Sequence, residues 1–511
     1  MQPPIDRREF LKLAGLLSLS VSAPRFLPGT AAAGQDPGRQ NVLVIVFDAL
    51  SAYNLSLYGY PRETTPNLAR LAGRAIVYHN HFAGGNFTTP GTASLLTGTL
   101  PWTHRAFRYN ARVIEPREQD NLFHAFEDYY RVTYSHNPLV NTLLKQFNRD
   151  LDLYLPRERL FLANDGPIQN LFRNDEDIAT TSWVRAVKRN EVGYSYSLFL
   201  THLYEKYQDL KIEKYKPLFP RGLPNIRGDN YFTLEQAVDW IGSQVGDFPQ
   251  PFIGYFHFLP PHFPYKTHQE FFERFARDKY KPVEKPEDIF NQKKSPATLL
   301  KWRSWYDEFI LYIDREFGRL YEMLEETGIL ENTWVVFTSD HGELFERGIS
   351  GHTTPVLHQP VVRVPLLILE PGRRNRTDIA TPTSAIDVLP TLLHITGQSV
   401  PDWAEGTVLP PFTTDRQDAS RSLYALQAVS NEQLSPLAQA STMLVKGSHK
   451  LVYYSGYDKL GDTGERIELY DLEADPEELT NLYPSQKAIG SELLDELQAK
   501  LEEVNRPYRS T

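Results

Sequence analysis

The chain runs to 511 residues, 41% hydrophobic and 23% charged, with a formal net charge of −10. Such a composition belongs to a folded globular protein rather than a disordered one. The negative balance argues against nucleic-acid binding through bulk positive charge, and the absence of cysteine excludes disulfides, thiolate metal sites and a cysteine nucleophile.

Residues 1–33 read as a targeting segment. Asp6-Arg7-Arg8-Glu9-Phe10-Leu11-Lys12 has the pattern of a twin-arginine export signal. An apolar stretch from Leu13 to Val21 follows, then Ala31-Ala32-Ala33 as a cleavage site. The apolar stretch is too short for a permanent span. The expectation is export by the twin-arginine machinery to the periplasm or beyond, with no stable membrane anchor. Residues 34–40 form a polar Gly/Pro linker. The length predicts one large domain with an appendage.

Asn41 to Phe47 predicts an apolar strand that stops at Asp48. Thr65-Pro66 opens a helix with Leu68, Leu71 and Ala72 on one face. Ile76 to Phe82 is extended, Asn121 to Asp128 helical, and Tyr130 to Ser135 a strand ending at His136-Asn137-Pro138. His136 reads as structural. Residues 138–230 read as a mostly helical insertion that walls the site. Phe232 to Val245 is a helix. Pro251 to Leu259 is a strand broken by Pro260-Pro261-His262. Trp302 to Glu326 is a long amphipathic helix whose Asp307 and Asp314 read as solvated or capping groups. Trp334 to Ser339 is a second apolar strand, stopping at Asp340-His341-Gly342-Glu343. Arg363 to Ile368 is a strand and Ser384 to Thr396 a helix. From about residue 400 the texture changes. Met443 to Tyr454 and Ile467 to Leu472 alternate like antiparallel strands, and Ile489 to Val504 is a terminal helix.

Strands that are apolar throughout belong in a sheet covered on both faces. Open α/β sheets keep their chemistry at the carboxyl ends of the strands. Two acids and a histidine presented there make a divalent-metal site. The stretch Gly85 to Gly98 adds a helix start: Thr89 as cap, Pro90 at the first helical position, Gly98 as the stop. Thr88 then lies just ahead of a positive dipole end, where an anion or alkoxide is favoured. A capped surface helix is the other reading of that stretch.

The pieces NVLVIVFDAL with YGYPRETTPNLARLA, then TTPGTASLLTG, FHFLPPHFPY, YDEFILYIDREFGRL, TSDHGE, VPLLI and ELYDLEADPEELTNL follow one another in order. In that order the chain resembles the sulfatase branch of the alkaline phosphatase superfamily. The resemblance implies an α/β fold: an alkaline-phosphatase-like, mostly parallel central sheet flanked by helices, with a small C-terminal α+β subdomain. It divides the chain into a catalytic domain at 41–400 and a subdomain at 401–511. It maps metal ligands onto Asp48, Asp340 and His341, with Thr88 as nucleophile and fourth ligand. His262 and His352 match positions that face the substrate, where an imidazole binds non-bridging oxygens or protonates the leaving group. His358 and Lys450 read as structural, and Glu343 as orienting the Asp340-His341 turn.

One departure bears on the reaction. The sulfatase signature is Cys or Ser, any residue, Pro, Ser, Arg, with the first residue oxidised to formylglycine. Here those positions are Thr88, Thr89, Pro90, Gly91 and Thr92. A threonine stays an alcohol. A sulfated alcohol lacks the second hydroxyl that expels sulfate from a formylglycine hydrate, whereas a phosphorylated threonine is released by water attacking phosphorus. The expected activity is therefore an exported hydrolase of a phosphodiester or related phospho-ester. The alternatives are a sulfatase, a phosphotransferase on envelope components, and an inactive binding homologue. Substrates would be small-molecule, glycan or lipid esters. Asp48-Ala49 and Asp340-His341 stand where calcium sulfatases usually pair Asp with Asp and Asp with Asn or Gln. Imidazole suits one Mn²⁺, with Zn²⁺ second and Ca²⁺ third.

Overall fold

Asn41–Phe47 forms strand β1, buried along its whole length, as a strand covered on both sides must be. In chain order there follow β2 (Ile76–Tyr78), β3 (His81–Phe82), β4 (Tyr130–Ser135), β5 (Leu153–Leu155), β6 (Phe252–Phe258) and β7 (Thr333–Thr338). Then come β8 (Leu344–Glu346), β9 (Ile349–Gly351), β10 (Leu366–Leu369), β11 (Thr377–Ile379) and β12 (Thr383–Ser384). The computed structural model describes residues 38–162, 195–225, 230–413 and 421–509. The segment at 1–33 read as an export signal, most of the 34–40 linker and the middle of 138–230 lie outside the described residues.

Among the described residues the main sheet has eight strands in the order β11-β2-β10-β7-β1-β6-β4-β5. The run from β7 to β5 is parallel, while β10 is antiparallel to both its neighbours. Alternation along β1 divides the core. Leu43, Ile45 and Phe47 pack with the helices Pro66–Ala72, Leu234–Gln244 and Pro296–Glu326. Val42, Val44 and Val46 pack with Thr88–Thr97, Pro138–Gln146 and Val388–Ile395. Helices therefore cover both faces.

The C-terminal subdomain is the antiparallel sheet β13 (Leu423–Gln427), β14 (Ala440–Lys446), β15 (His449–Ser455) and β16 (Glu465–Asp471), in that order. Leu493 and Leu497 of the terminal helix cover one face. Met443, Val445, Val452 and Tyr454 on the other meet Leu344, Val361 and Val362 of the larger domain.

Three expectations change. Asp307 and Asp314 are not solvated. Asp307 is buried and accepts bonds of 2.7 Å from Asn54, Tyr60 and Arg62. Asp314 accepts the Asn67 and Leu68 N–H groups at 2.8 Å, so it caps the start of a neighbouring helix. The helix expected over Asn121 to Asp128 is a single turn, Leu122–Ala125. The opening of 138–230 is not inserted: β5 pairs with β4 and completes the edge of the main sheet. The described helix Ser195–Tyr215 follows within that stretch. Among the described residues no helix is long and apolar enough to cross a membrane.

Candidate active site

Sheet register brings the chemistry together. Val46 of β1 stands opposite His257 of β6 on one side and Thr338 of β7 on the other. Asp48, His257 and Asp340 therefore arrive at one level of the carboxyl edge, where chemistry belongs in such sheets. All three are fully buried, and one ligand atom from each lies within 4.8 Å of the others. His257 Nε2 is 3.5 Å from Asp48 Oδ2 and 3.7 Å from Asp340 Oδ2. His341 Nε2 is 3.3 Å from Asp48 Oδ1. The Nδ1–H of His341 donates to the Gly342 carbonyl at 2.9 Å, so in the neutral ring the lone pair is on Nε2. Ala49, just past Asp48, has φ 60°, a strained value for alanine. Its N–H donates to Asp340 Oδ1 at 3.3 Å, and the next N–H, of Leu50, donates to Ser339 at 2.9 Å. Those bonds hold the two strand ends in step.

The helix over Thr88–Thr97 begins two residues earlier than expected. Phe87, with φ −152° and ψ 172°, occupies the cap position, so Thr88 is in the first turn rather than ahead of it. Pro90 stays within that turn, where its missing N–H leaves no partner unmet. Gly98 ends the helix at φ 64°, as a left-handed stop does. Gly91 lies against the Asp340 backbone: a Cβ there would come within 2.2 Å of the Asp340 carbonyl oxygen. Thr88 Oγ1 is 3.4 Å from His341 Nε2 and 3.4 Å from Asn137 Nδ2. Asn137 also donates to Asp48 Oδ2, and its own Oδ1 caps the Pro138–Gln146 helix through Leu139 N–H.

A row of imidazoles leads inward from the rim. His262 and His352 have ring centroids 4.9 Å apart, and His352 and His341 4.3 Å. His262 is part-exposed, and its Nδ1–H donates to the Phe263 carbonyl at 2.6 Å. His352 is buried, with Nδ1 3.1 Å from Glu343 Oε1. Burial pushes the His352 imidazole down to about 4, with Glu343 only partly offsetting it. Burial alone would lower His341 as well, but the Asp340 and Asp48 carboxylates outweigh it and raise His341 to about 9. Burial and the neighbouring Asp48 charge raise Asp340. For Asp48 burial is outweighed by His257, His262 and His341, and its carboxyl sits well below the usual range. A crowded pair of acids with imidazoles about it is the electrostatic pattern of a functional site.

The donor set fits a divalent ion. Asp48 Oδ1 and His257 Nε2 are buried without a hydrogen-bond partner, and carboxylate oxygens with imidazole nitrogens are ordinary ligands of transition metals. Asp48, Thr88, Asp340 and His341 lie together, while His262 and His352 line the approach. Glu343 bonds His352 rather than the turn it was expected to orient. His136 is buried with its ring 4.3 Å from that of Phe232, and its ring nitrogens make no described hydrogen bond. His358 and Lys450 meet Asp288 and Glu478 in a buried polar cluster. Sequence reasoning missed His257 and Asn137. The signals were there: a histidine one residue from the end of an otherwise apolar strand, and an asparagine where β4 ends.

A mostly parallel sheet with acids and imidazoles at its carboxyl edge, facing a helix start that carries a hydroxyl, defines an alkaline-phosphatase-type α/β hydrolase architecture. Residues 40–398 match the Sulfatase family model, and the chain belongs to that family, a hydrolase family whose enzymes use a divalent metal. Residues 353–507 match the N-sulphoglucosamine sulphohydrolase C-terminal model, in keeping with the small subdomain. An ulvan-active sulfatase of Formosa agariphila is 24% identical, over 93% of this chain and 83% of its own length. The multifunctional alkaline phosphatase superfamily protein PehA of Trinickia caryophylli is 26% identical, over 87% of this chain and 91% of its own. The solved phosphonate monoester hydrolase of Agrobacterium radiobacter shares the fold, with TM-score 0.64 at 19% identity, covering 91% of this chain and 96% of that one.

Proposed function

We propose that this chain is a metal-dependent hydrolase that cleaves a phosphodiester or related phospho-ester with Thr88 as the nucleophile. The observation that carries the reading is a threonine hydroxyl 3.4 Å from His341 Nε2, beside Asp48, His257 and Asp340, at a helix start. An ion held by Asp48, His257, Asp340 and His341, Mn²⁺ by preference, would lower the hydroxyl pKa and offset charge on the transferred group. Thr88 Oγ attacks phosphorus, and a Thr88–phosphorus ester forms as the bond to the leaving oxygen breaks. The positive end of the Thr88–Thr97 helix favours the anionic group during that transfer. Asn137 Nδ2 holds Thr88 and Asp48 in register. His262, its Nδ1–H tied to Phe263, lines the approach, and as an imidazolium it would give the leaving oxygen its proton. His352, tied to Glu343, backs it. Water then attacks phosphorus and restores the Thr88 alcohol.

The kinship with PehA, named as a multifunctional alkaline phosphatase superfamily protein, supports breadth of substrate. A sulfate-ester reading is favoured by the ulvan-active and choline sulfatases among the relatives. For export the support is the Arg7-Arg8 pattern and the short apolar stretch behind it. The test is a panel of aryl sulfate, phosphate monoester, phosphodiester and phosphonate on wild type and Thr88→Ala. The expected result is fastest turnover of the diester and its abolition in the variant. Faster release of sulfate from the aryl sulfate would replace the phospho-ester reading. Full activity of Thr88→Ala would remove the nucleophile.

A further inference from the structure

Two residues before Thr88 the chain buries an asparagine. Asn86 is fully buried. Its Nδ2 donates to the His352 carbonyl at 2.9 Å and to the Thr354 carbonyl at 2.7 Å. Both carbonyls belong to one stretch, just past the end of β9. Two carbonyl acceptors settle which way the amide lies: its NH₂ must face them, since an oxygen there would repel both. Oδ1 meets no partner, so the described hydrogen bonds of this side chain all go to residues 352–354.

That stretch carries His352. β8 and β9 pair with Leu344 opposite Gly351, which sets Glu343 across from His352 one step further along. Glu343 Oε1 holds the ring at Nδ1, 3.1 Å away. Asn86 holds the backbone beneath the ring. The Thr354 N–H donates to the same His352 carbonyl at 2.9 Å, so the stretch is folded on that one oxygen. The imidazole is therefore fixed from two sides. Its tip is tied to the turn that follows Asp340 and His341, and its root to the turn that precedes Thr88. Among the described residues no other hydrogen bond joins residues 85–88 to residues 352–354.

We propose that Asn86 is a positioning residue that sets the separation between Thr88 and the His352 imidazole, and through His352 the seat of His262. The inference rests on the proposed hydrolase mechanism, in which His262 and His352 serve the leaving oxygen. The His352 ring is packed between those of His341 and His262, with centroids 4.3 Å and 4.9 Å away, so a shift at its root is passed along the row. Without Asn86 the two carbonyls lose their donor, and His352 can pivot about its bond to Glu343. A group set about 1 Å out of place costs up to about 100-fold in rate.

The test is a double-mutant cycle on the full-length, metal-loaded protein: Asn86→Ala, His352→Ala and the two together. The substrate is whichever ester of the panel turns over fastest, in two forms, with a 4-nitrophenyl and with a phenyl leaving group. Asn86→Ala is expected to lower kcat roughly 10–100-fold with KM little changed. The loss should be larger for the phenyl ester, whose leaving oxygen needs its proton more. The double variant should be no slower than His352→Ala, because Asn86 then has no imidazole to place. Asn86→Ser keeps one proton for the carbonyls and should fall between wild type and Asn86→Ala. It takes the place of the alanine variant in the cycle if that one does not fold. Losses that multiply in the double variant and are equal for both leaving groups make Asn86 purely structural and overturn the inference alone. A wild-type rate in His352→Ala removes the part given to His352 and this inference with it, while Thr88→Ala still tests the nucleophile. A wild type that turns over none of the esters overturns both.

Discussion

Replacing Gly91 by alanine tests whether the Thr88 helix start and the Asp340 turn are set at one separation. The added Cβ would lie 2.2 Å from the Asp340 carbonyl oxygen and 2.9 Å from its carbonyl carbon. Ordinary contact begins at 3.4 Å, so the two segments must part by about 1.2 Å, and packed cores resist that. Neither side yields easily. Asp340 is buried and its Oδ1 accepts the Ala49 and His341 N–H groups. The helix beyond Gly91 is anchored by Ala93 and Leu96 in the core. Overpacking of this kind costs about 1–3 kcal/mol of stability. A shift of about 1 Å between nucleophile and metal ligands costs roughly 100-fold in rate, or about 2.7 kcal/mol. The assay is kcat/KM on the best substrate of the panel, beside urea unfolding. Gly246→Ala is the control, since its Cβ meets nothing within 4 Å. If Gly91→Ala matches wild type in both measurements, the close approach does not position Thr88. By the same geometry, restoring the serine of the sulfatase signature at this position should also lower activity.

Three further outcomes are expected. Lys450→Met leaves Glu478 buried without its cation, and should cost about 3–5 kcal/mol in urea unfolding. The pH dependence follows from Glu478. Burial would raise its pKa, but Lys450 and His358 outweigh burial and hold it well below the ordinary value of 4.5. A depressed carboxylate stabilises the fold above its unfolded value and loses that contribution as pH falls through the folded one. Wild-type stability should therefore decline below about pH 4.5, and in Lys450→Met, where Glu478 loses the cation that most lowers it, that decline should be smaller; identical pH profiles for the two would refute this. Removing metal with EDTA should lower the unfolding temperature reversibly. An ion at 100 times its dissociation constant stabilises by about 2.7 kcal/mol, and an unfolding temperature indifferent to both EDTA and added Mn²⁺ would count against bound metal.

The sequence by itself determined the architecture. Uninterrupted apolar runs at Asn41–Phe47 and Thr333–Thr338 mark strands covered on both faces, and ordered motifs around Asp48, Thr88 and Asp340 mark the family. Proline and glycine punctuation located the Thr88 helix to within two residues, the error being at the cap. Tertiary structure decided what depends on register. His257 reaches the site only because β6 stands beside β1 with His257 opposite Val46, and Asn137 only because β4 lies next along the same sheet. Asp307 and Asp314, solvated or capping groups by helical periodicity alone, are buried because the Pro296–Glu326 helix turns its charged side to Arg62 and to the start of a second helix. Periodicity reports which residues share a face. Which distant side chains that face meets is set by strand order and packing, and those arise only when the whole chain closes.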